Sequence, residues 1–181
     1  ELGFSPTSKP IENRWRNHGL SADFVADYLS TFLPISEDYP DNNDRQLLLK
    51  SSVSYIANEL LENAMKFNDH QAYTVQFGIR LFLEAEELRV ILTASNSLST
   101  AIAQKFKTFI RSFLSQDPNE FYLNQMEASA EDDTGTVSGL GLVTMVTDHN
   151  STLGWKFETV SSRSNPGVSV PIVTTMVQIS V

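Results

Sequence analysis

The 181-residue sequence has no cysteine, only three histidines, and 13 Lys or Arg set against 22 Asp or Glu. Without cysteine there are no disulfide frameworks, thiolate nucleophiles or cysteine zinc sites. The shortage of base leaves a formal net charge of −9 and a pI near 4.7. Such a chain repels phosphate backbones and anionic lipid, which argues against a general nucleic-acid or membrane-surface binder. A small phosphorylated ligand held by backbone amides and a metal stays open. No apolar run approaches the ~20 residues of a spanning helix. The opening Glu1 to Pro6 has neither the basic start nor the apolar stretch of a signal peptide. The expectation is a cytoplasmic protein, and a start at Glu rather than Met suggests a piece of something longer.

What is there in quantity is apolar: 41% of residues are hydrophobic, with 11 Phe, 5 Tyr and 2 Trp. That composition and length predict one domain, 1–181, with a real core. Residues 1–20 read as an irregular lead-in. Ser21 looks like an N-cap for a helix through Phe24, Val25, Tyr28, Leu29 and Phe32 that stops at Pro34. Ser36 to Asp44 is acidic and reads as loop, and a long helix follows from Arg45 to about Phe67. Tyr73 to Leu83 and Leu88 to Thr93 form a predicted hairpin. Leu98 to Leu114 is an amphipathic helix with Ile102, Phe106, Phe109, Ile110, Phe113 and Leu114 on one face and Lys105, Lys107 and Arg111 elsewhere. The Phe pattern reads most simply as core. Asp117 to Thr136 is acidic and unpatterned, Gly139 to Asp148 opens a short helix, and strands at Leu153 to Val160 and Val168 to Val181 close the chain. The predicted class is α+β, a two-layer sandwich of a mainly antiparallel sheet covered on one face by helices.

On the long helix, Val53, Ala57, Leu60, Ala64 and Phe67 make a core stripe within about 80°. Glu59, Asn63 and Lys66 fall within roughly 60° of one another on a second stripe. A solvated helix edge would carry the same residue types. The chemical alternative is that a carboxylate, an amide oxygen and an ammonium converge where a magnesium-bound triphosphate could sit. Magnesium takes hard oxygen ligands, often one from protein with phosphate and water supplying the rest. The carboxylate can take a proton from an attacking hydroxyl, and the ammonium can neutralise phosphate charge.

Glu59-Leu60-Leu61-Glu62-Asn63-Ala64-Met65-Lys66-Phe67 resembles the N-box of the GHKL superfamily, which includes gyrase B, the 90-kilodalton heat-shock chaperone, histidine kinases and MutL. The resemblance implies that Glu59 is the base, Asn63 holds Mg²⁺ and Lys66 contacts phosphate. Downstream, Ser138-Gly139-Leu140-Gly141-Leu142 opens a helix, where glycines let backbone N–H groups approach a phosphate and the dipole favours negative charge. A tight loop would look the same in isolation. The segment resembles the second glycine box of the same superfamily, in order after the N-box, with 117–137 in the place of the ATP lid. Thr175, in Thr174-Thr175-Met176-Val177, stands where a family Thr helps hold adenine, though a Thr in a strand is commonplace.

One element of the pattern differs. Where the family has Asp-x-Gly-x-Gly, the chain reads Thr93-Ala94-Ser95-Asn96-Ser97-Leu98-Ser99. Asn96 offers a carbonyl oxygen in place of the Asp that accepts from the adenine amino group, and a neutral acceptor binds more weakly. The presumed lid carries Asp117, Glu120, Glu127, Glu131, Asp132 and Asp133 and no basic residue, so it suggests a protein-contact surface or a solvated loop.

His18, His70 and His149 lie in polar turns, none on a dimerisation helix, and a zinc site is not expected. The resemblance, closest to the anti-sigma and SiaB-like serine kinases, implies a Bergerat-type fold binding ATP or ADP with Mg²⁺. It implies a stand-alone protein serine/threonine kinase-like regulator in bacterial partner switching, acting on a small antagonist domain; a homodimer is compatible with it. The alternative is an interaction module that kept the fold and lost ATP turnover.

Overall fold

The computed structural model describes residues 2–4, 26–28, 42–69, 73–84, 87–131, 139–161 and 169–180. Five strands form one sheet: β1 (Leu2–Phe4), β2 (Gln76–Glu84), β3 (Glu87–Ser97), β4 (Thr152–Ser161) and β5 (Ser169–Ser180), in the order β1-β2-β3-β5-β4. Every neighbouring pair is antiparallel. The register sets Phe77 beside Ala94 and Ile79 beside Leu92, then Leu92 beside Val177, Ala94 beside Thr175 and Trp155 beside Thr175. Because side chains alternate along a strand, these residues share one face, and that face is the core side.

The helices are α1 (Asn42–Phe67), α2 (Thr100–Leu114), α3 (Pro118–Glu131) and α4 (Leu140–Thr147). On α1, Leu49, Val53, Ile56, Ala57, Leu60, Leu61 and Ala64 recur at helical spacing and are all buried against Phe77, Ile79, Val90, Leu92 and Val177 of the sheet. The helix ends where Asn68 leaves it. The Asn68 Oδ1 accepts from Ser97 N (2.9 Å) and Ser97 Oγ (2.9 Å), and its Nδ2 donates to the Tyr73 carbonyl (2.9 Å), so the C-terminal end of α1 is tied to the end of β3. Helix α2 starts at an N-cap, Ser99, whose hydroxyl accepts from Ile102 N at 3.3 Å. Its Phe106 packs with Leu98, Ala103, Val173, Trp155 and Phe157.

The α+β class and the antiparallel sheet with helices on one face are as the sequence predicts. Three segments differ. The stretch after Asp117, to which the sequence assigns no element, is helix: the Asp117 side chain accepts from Asn119 N (2.9 Å) and Glu120 N (3.2 Å), its carbonyl accepts from Phe121 N (2.9 Å), and Pro118 occupies the first helical position. Phe121 then fixes α3 in an aromatic cluster with Phe109 and Phe113, at ring separations of 5.5 and 5.3 Å. Within the lead-in, Leu2–Phe4 pairs with β2 as the edge strand. Helix α1 begins at Asn42, inside the predicted loop. Of the predicted first helix only Ala26–Tyr28 lies within the described residues, and it is helical there. Residues 132–137 of the presumed lid lie outside them. Among the described residues no helix is long and apolar enough to cross a membrane.

Candidate functional site

The site grows from a seam between α1 and α4. Ser52, Tyr55 and Glu59 lie on one stripe of α1, at spacings of three and four. They meet, in antiparallel order, His149 just past α4, then Thr144, then Gly141. His149 Nδ1 is 2.9 Å from Ser52 Oγ, and its ring stacks on Tyr55 with centroids 4.7 Å apart. The Tyr55 hydroxyl is hydrogen-bonded to Thr144. The Glu59 carboxylate lies against Gly141 so closely that a Cβ there would collide with its Oε2. Burial raises the Glu59 carboxyl above its usual pKa, and the neighbouring Glu62 charge adds to this. Burial also lowers His149, with Asp148 opposing, so its neutral form is favoured.

Past this seam lies a cavity of about 390 Å³. Its floor is the end of the inner sheet face, with Ala94 and Asn96 of β3 and Val173 and Thr175 of β5. One wall is α1, through Leu60, Asn63, Ala64, Lys66 and Phe67; the other is α2, through Ile102, Lys105, Phe106 and Phe109, with Leu98 before it. Gly139 and Leu142 close the α4 end. Helix α2 therefore runs back along α1: Phe67 packs on the cluster of Leu98, Ala103 and Val173 at one end, and Phe109 packs on Gly139 at the other, where a Cβ would strike its ring. A side chain at either glycine would therefore have to displace Phe109 or the end of the Glu59 side chain, whatever the cavity holds.

Of the residues singled out from sequence, Asn63, Lys66, Asn96, Gly139, Leu142 and Thr175 all line this cavity, although they come from four elements and span more than a hundred positions. Glu59, Leu140 and Gly141 do not line it. They stand beside its α4 end, and Ser138 lies outside the described residues. Gly139 caps α4 without a side-chain hydrogen bond, and the first intrahelical bond runs from Val143 N to Gly139 O at 3.3 Å. The N–H groups before it are left without helical acceptors. Asn96 is buried, and its Nδ2 donates to the Ser97 carbonyl at 3.0 Å, which leaves Oδ1 as the acceptor of its amide.

Among the described residues there is no group of three or more His, Asp or Glu able to hold a metal. A magnesium ion completed by phosphate and water asks only for one oxygen such as that of Asn63, and the donor set fits that case. Sequence reasoning missed Lys105 and the apolar wall of Ile102, Phe106 and Phe109. The two Phe belong to both core and cavity, and Lys105 sits on the side of α2 that its amphipathic pattern assigns to solvent.

The fold is similar to that of a chain in the crystal structure of the SiaB–SiaC complex from Pseudomonas aeruginosa. The likeness covers 99% of this chain and 89% of that one, with a TM-score of 0.55 and 12% sequence identity. At that identity the likeness establishes architecture and leaves chemistry to the residues. No protein-family model matches the sequence, and no curated protein matches it.

Proposed function

We propose that the cavity is a Mg-ATP site of GHKL type, in a protein serine/threonine kinase-like regulator of partner-switching signalling. The observation that carries this reading is the convergence of Asn63, Lys66, Asn96, Gly139, Leu142 and Thr175 on one cavity of about 390 Å³. Its size falls in the range of roughly 300–1,000 Å³ of small-molecule sites, and its walls are apolar with a few polar groups, as such sites are. In this assignment Asn96 Oδ1 and Thr175 hold the base, and Ile102 and Phe106 flank it. Lys66 neutralises phosphate, and Asn63 supplies the protein oxygen to magnesium, which would offset phosphate charge when bound. The free N–H groups at the start of α4 receive a phosphate. Glu59 orients or deprotonates the acceptor hydroxyl of a protein partner, and its raised pKa brings it nearer the value a base needs at neutral pH. The likeness in fold to a chain solved in the SiaB–SiaC complex supports a protein as that partner.

The test is calorimetric titration of Mg-ATP into the intact chain and into Asn63→Ala. Binding by the first, weakened in the second by about tenfold, is the expected result. No heat from the intact chain removes the reading.

A second reading, a protein-interaction module without ATP turnover, is favoured by two features. Asn96 replaces the expected Asp, and α3 presents Asp117, Glu120 and Glu127 to solvent beside exposed Leu123 and Met126. It predicts partner binding that is indifferent to nucleotide.

A further inference from the structure

Two fixed points give the level of each residue along the cavity. On α1, Glu59 marks the glycine turn through its contact with Gly141; on α2, Phe109 marks it through its contact with Gly139. Four residues on along α1 is Asn63, and four residues back along the opposed α2 is Lys105, each about 6 Å from its anchor. Asn63 and Lys105 both line the cavity and so stand at one level on opposite walls. Lys66 lies a turn further on the Asn63 side.

The charges single out this level. Lys66 and Lys105 are the charged side chains of the lining, and no carboxylate faces them there. Among the described residues neither is ion-paired, in a chain with a net charge of −9. Lys66 lies 5.4 Å from the Phe67 ring and Lys107 lies 4.8 Å from the Phe157 ring, whereas among the described residues Lys105 has no such contact. From Ser112 to Ser138, the segment leading into the glycine turn, there is no basic residue at all. A phosphate chain starting at that turn cannot be neutralised from there. Its cations have to come from the walls.

Resting on the nucleotide reading above, we propose that Lys105 is a second phosphate-binding residue, facing Asn63 across the cavity, and that it sets a preference for polyphosphates over the uncharged nucleoside. With two lysines and no carboxylate in the lining, the site gains most from the ligand with most negative charge.

The experiment titrates ATP, ADP and adenosine, each with magnesium, into the intact chain and into Lys105→Ala, Lys105→Arg and Lys107→Ala. Lys105→Ala is expected to weaken ATP by about tenfold, ADP by less and adenosine not at all. Lys105→Arg keeps most of the ATP affinity, and Lys107→Ala, whose side chain lies on Phe157, binds like the intact chain. Unchanged ATP affinity in Lys105→Ala, or equal losses for ATP and adenosine, overturns the assignment while leaving the nucleotide site standing. Absence of binding by the intact chain to all three ligands removes both.

Discussion

At the scale of single residues, Gly141 and the Glu59 carboxylate are in close contact. Any side chain at 141 must displace the carboxylate or shift α4. Gly141→Ala is expected to cost about 1–3 kcal/mol, as overpacking does. In a Glu59→Ala background, where the space is vacant, the same change costs much less; urea unfolding of the four-member cycle measures the coupling. Equal costs in both backgrounds would show that the carboxylate is not what the glycine accommodates. Glu59 has a pH signature of its own. Burial raises its pKa in the folded state, so its contribution to stability is fully present below the unfolded value of about 4.3 and is lost as pH rises through the folded one. The neutral isostere Glu59→Gln escapes that loss. Its urea midpoint should exceed that of the intact chain at pH 7, with the gap narrowing toward pH 4, and a gap independent of pH would remove burial as the cause.

At the scale of elements, the α1–α4 seam and the docking of α3 are separable devices. In the seam, burial lowers the His149 pKa, so the stability it contributes is present above the unfolded value of about 6.5 and is lost as pH falls through the folded one. The charges near it are Asp148 and, through the stacked Tyr55, Glu59. His149→Gln should therefore lose less stability than the intact chain between pH 7.5 and pH 5, read by urea midpoints at the two values. Helix α3 depends on Phe121, which is 2% exposed, whereas Leu123 on its outer face is 60% exposed. Phe121→Ala is expected to cost about 3–5 kcal/mol; Leu123→Ala should stay within about 0.5 kcal/mol. The contrast also explains what the sequence could and could not disclose. Helices α1, α2 and α4 and the strands from β2 to β5 announce themselves by periodic apolar residues. The apolar residues of α3 instead form a contiguous Phe121-Tyr122-Leu123 run with a single deeply buried member, which reads as no period at all. Its start was nonetheless written in Asp117-Pro118-Asn119-Glu120, an N-cap followed by proline and an acidic third position. Strand β1 is three residues long, too short for alternation to register. Asn63 and Lys66 were readable because they share a helix with Glu59 at fixed spacing. Lys105 was not, because its relation to Asn63 exists only once α2 has folded back along α1.

At the scale of the whole molecule, the cavity lies where the separate packing units meet. Leu60, Ala64 and Ala94 belong to the main core, Leu98 and Val173 to the cluster beneath α2, and Phe109 bridges to the aromatic cluster that holds α3. A ligand there touches α1, α2, α4 and the sheet together, so its binding energy should stabilise the domain as one unit rather than one helix of it. A ligand that binds only the folded chain adds about 2.7 kcal/mol at one hundred times its Kd. For a domain of this size each kcal/mol moves the melting temperature by roughly 2–4 °C, so saturating Mg-ATP should raise Tm by roughly 5–10 °C. Differential scanning calorimetry should show the whole transition moving, without a trailing shoulder, and a smaller rise when magnesium is withheld. A shoulder that stays behind would mean that α3 or the outer strands unfold independently of the site. An unmoved transition, at a concentration where a peptide partner does shift it, would make this fold a docking scaffold whose cavity holds no nucleotide.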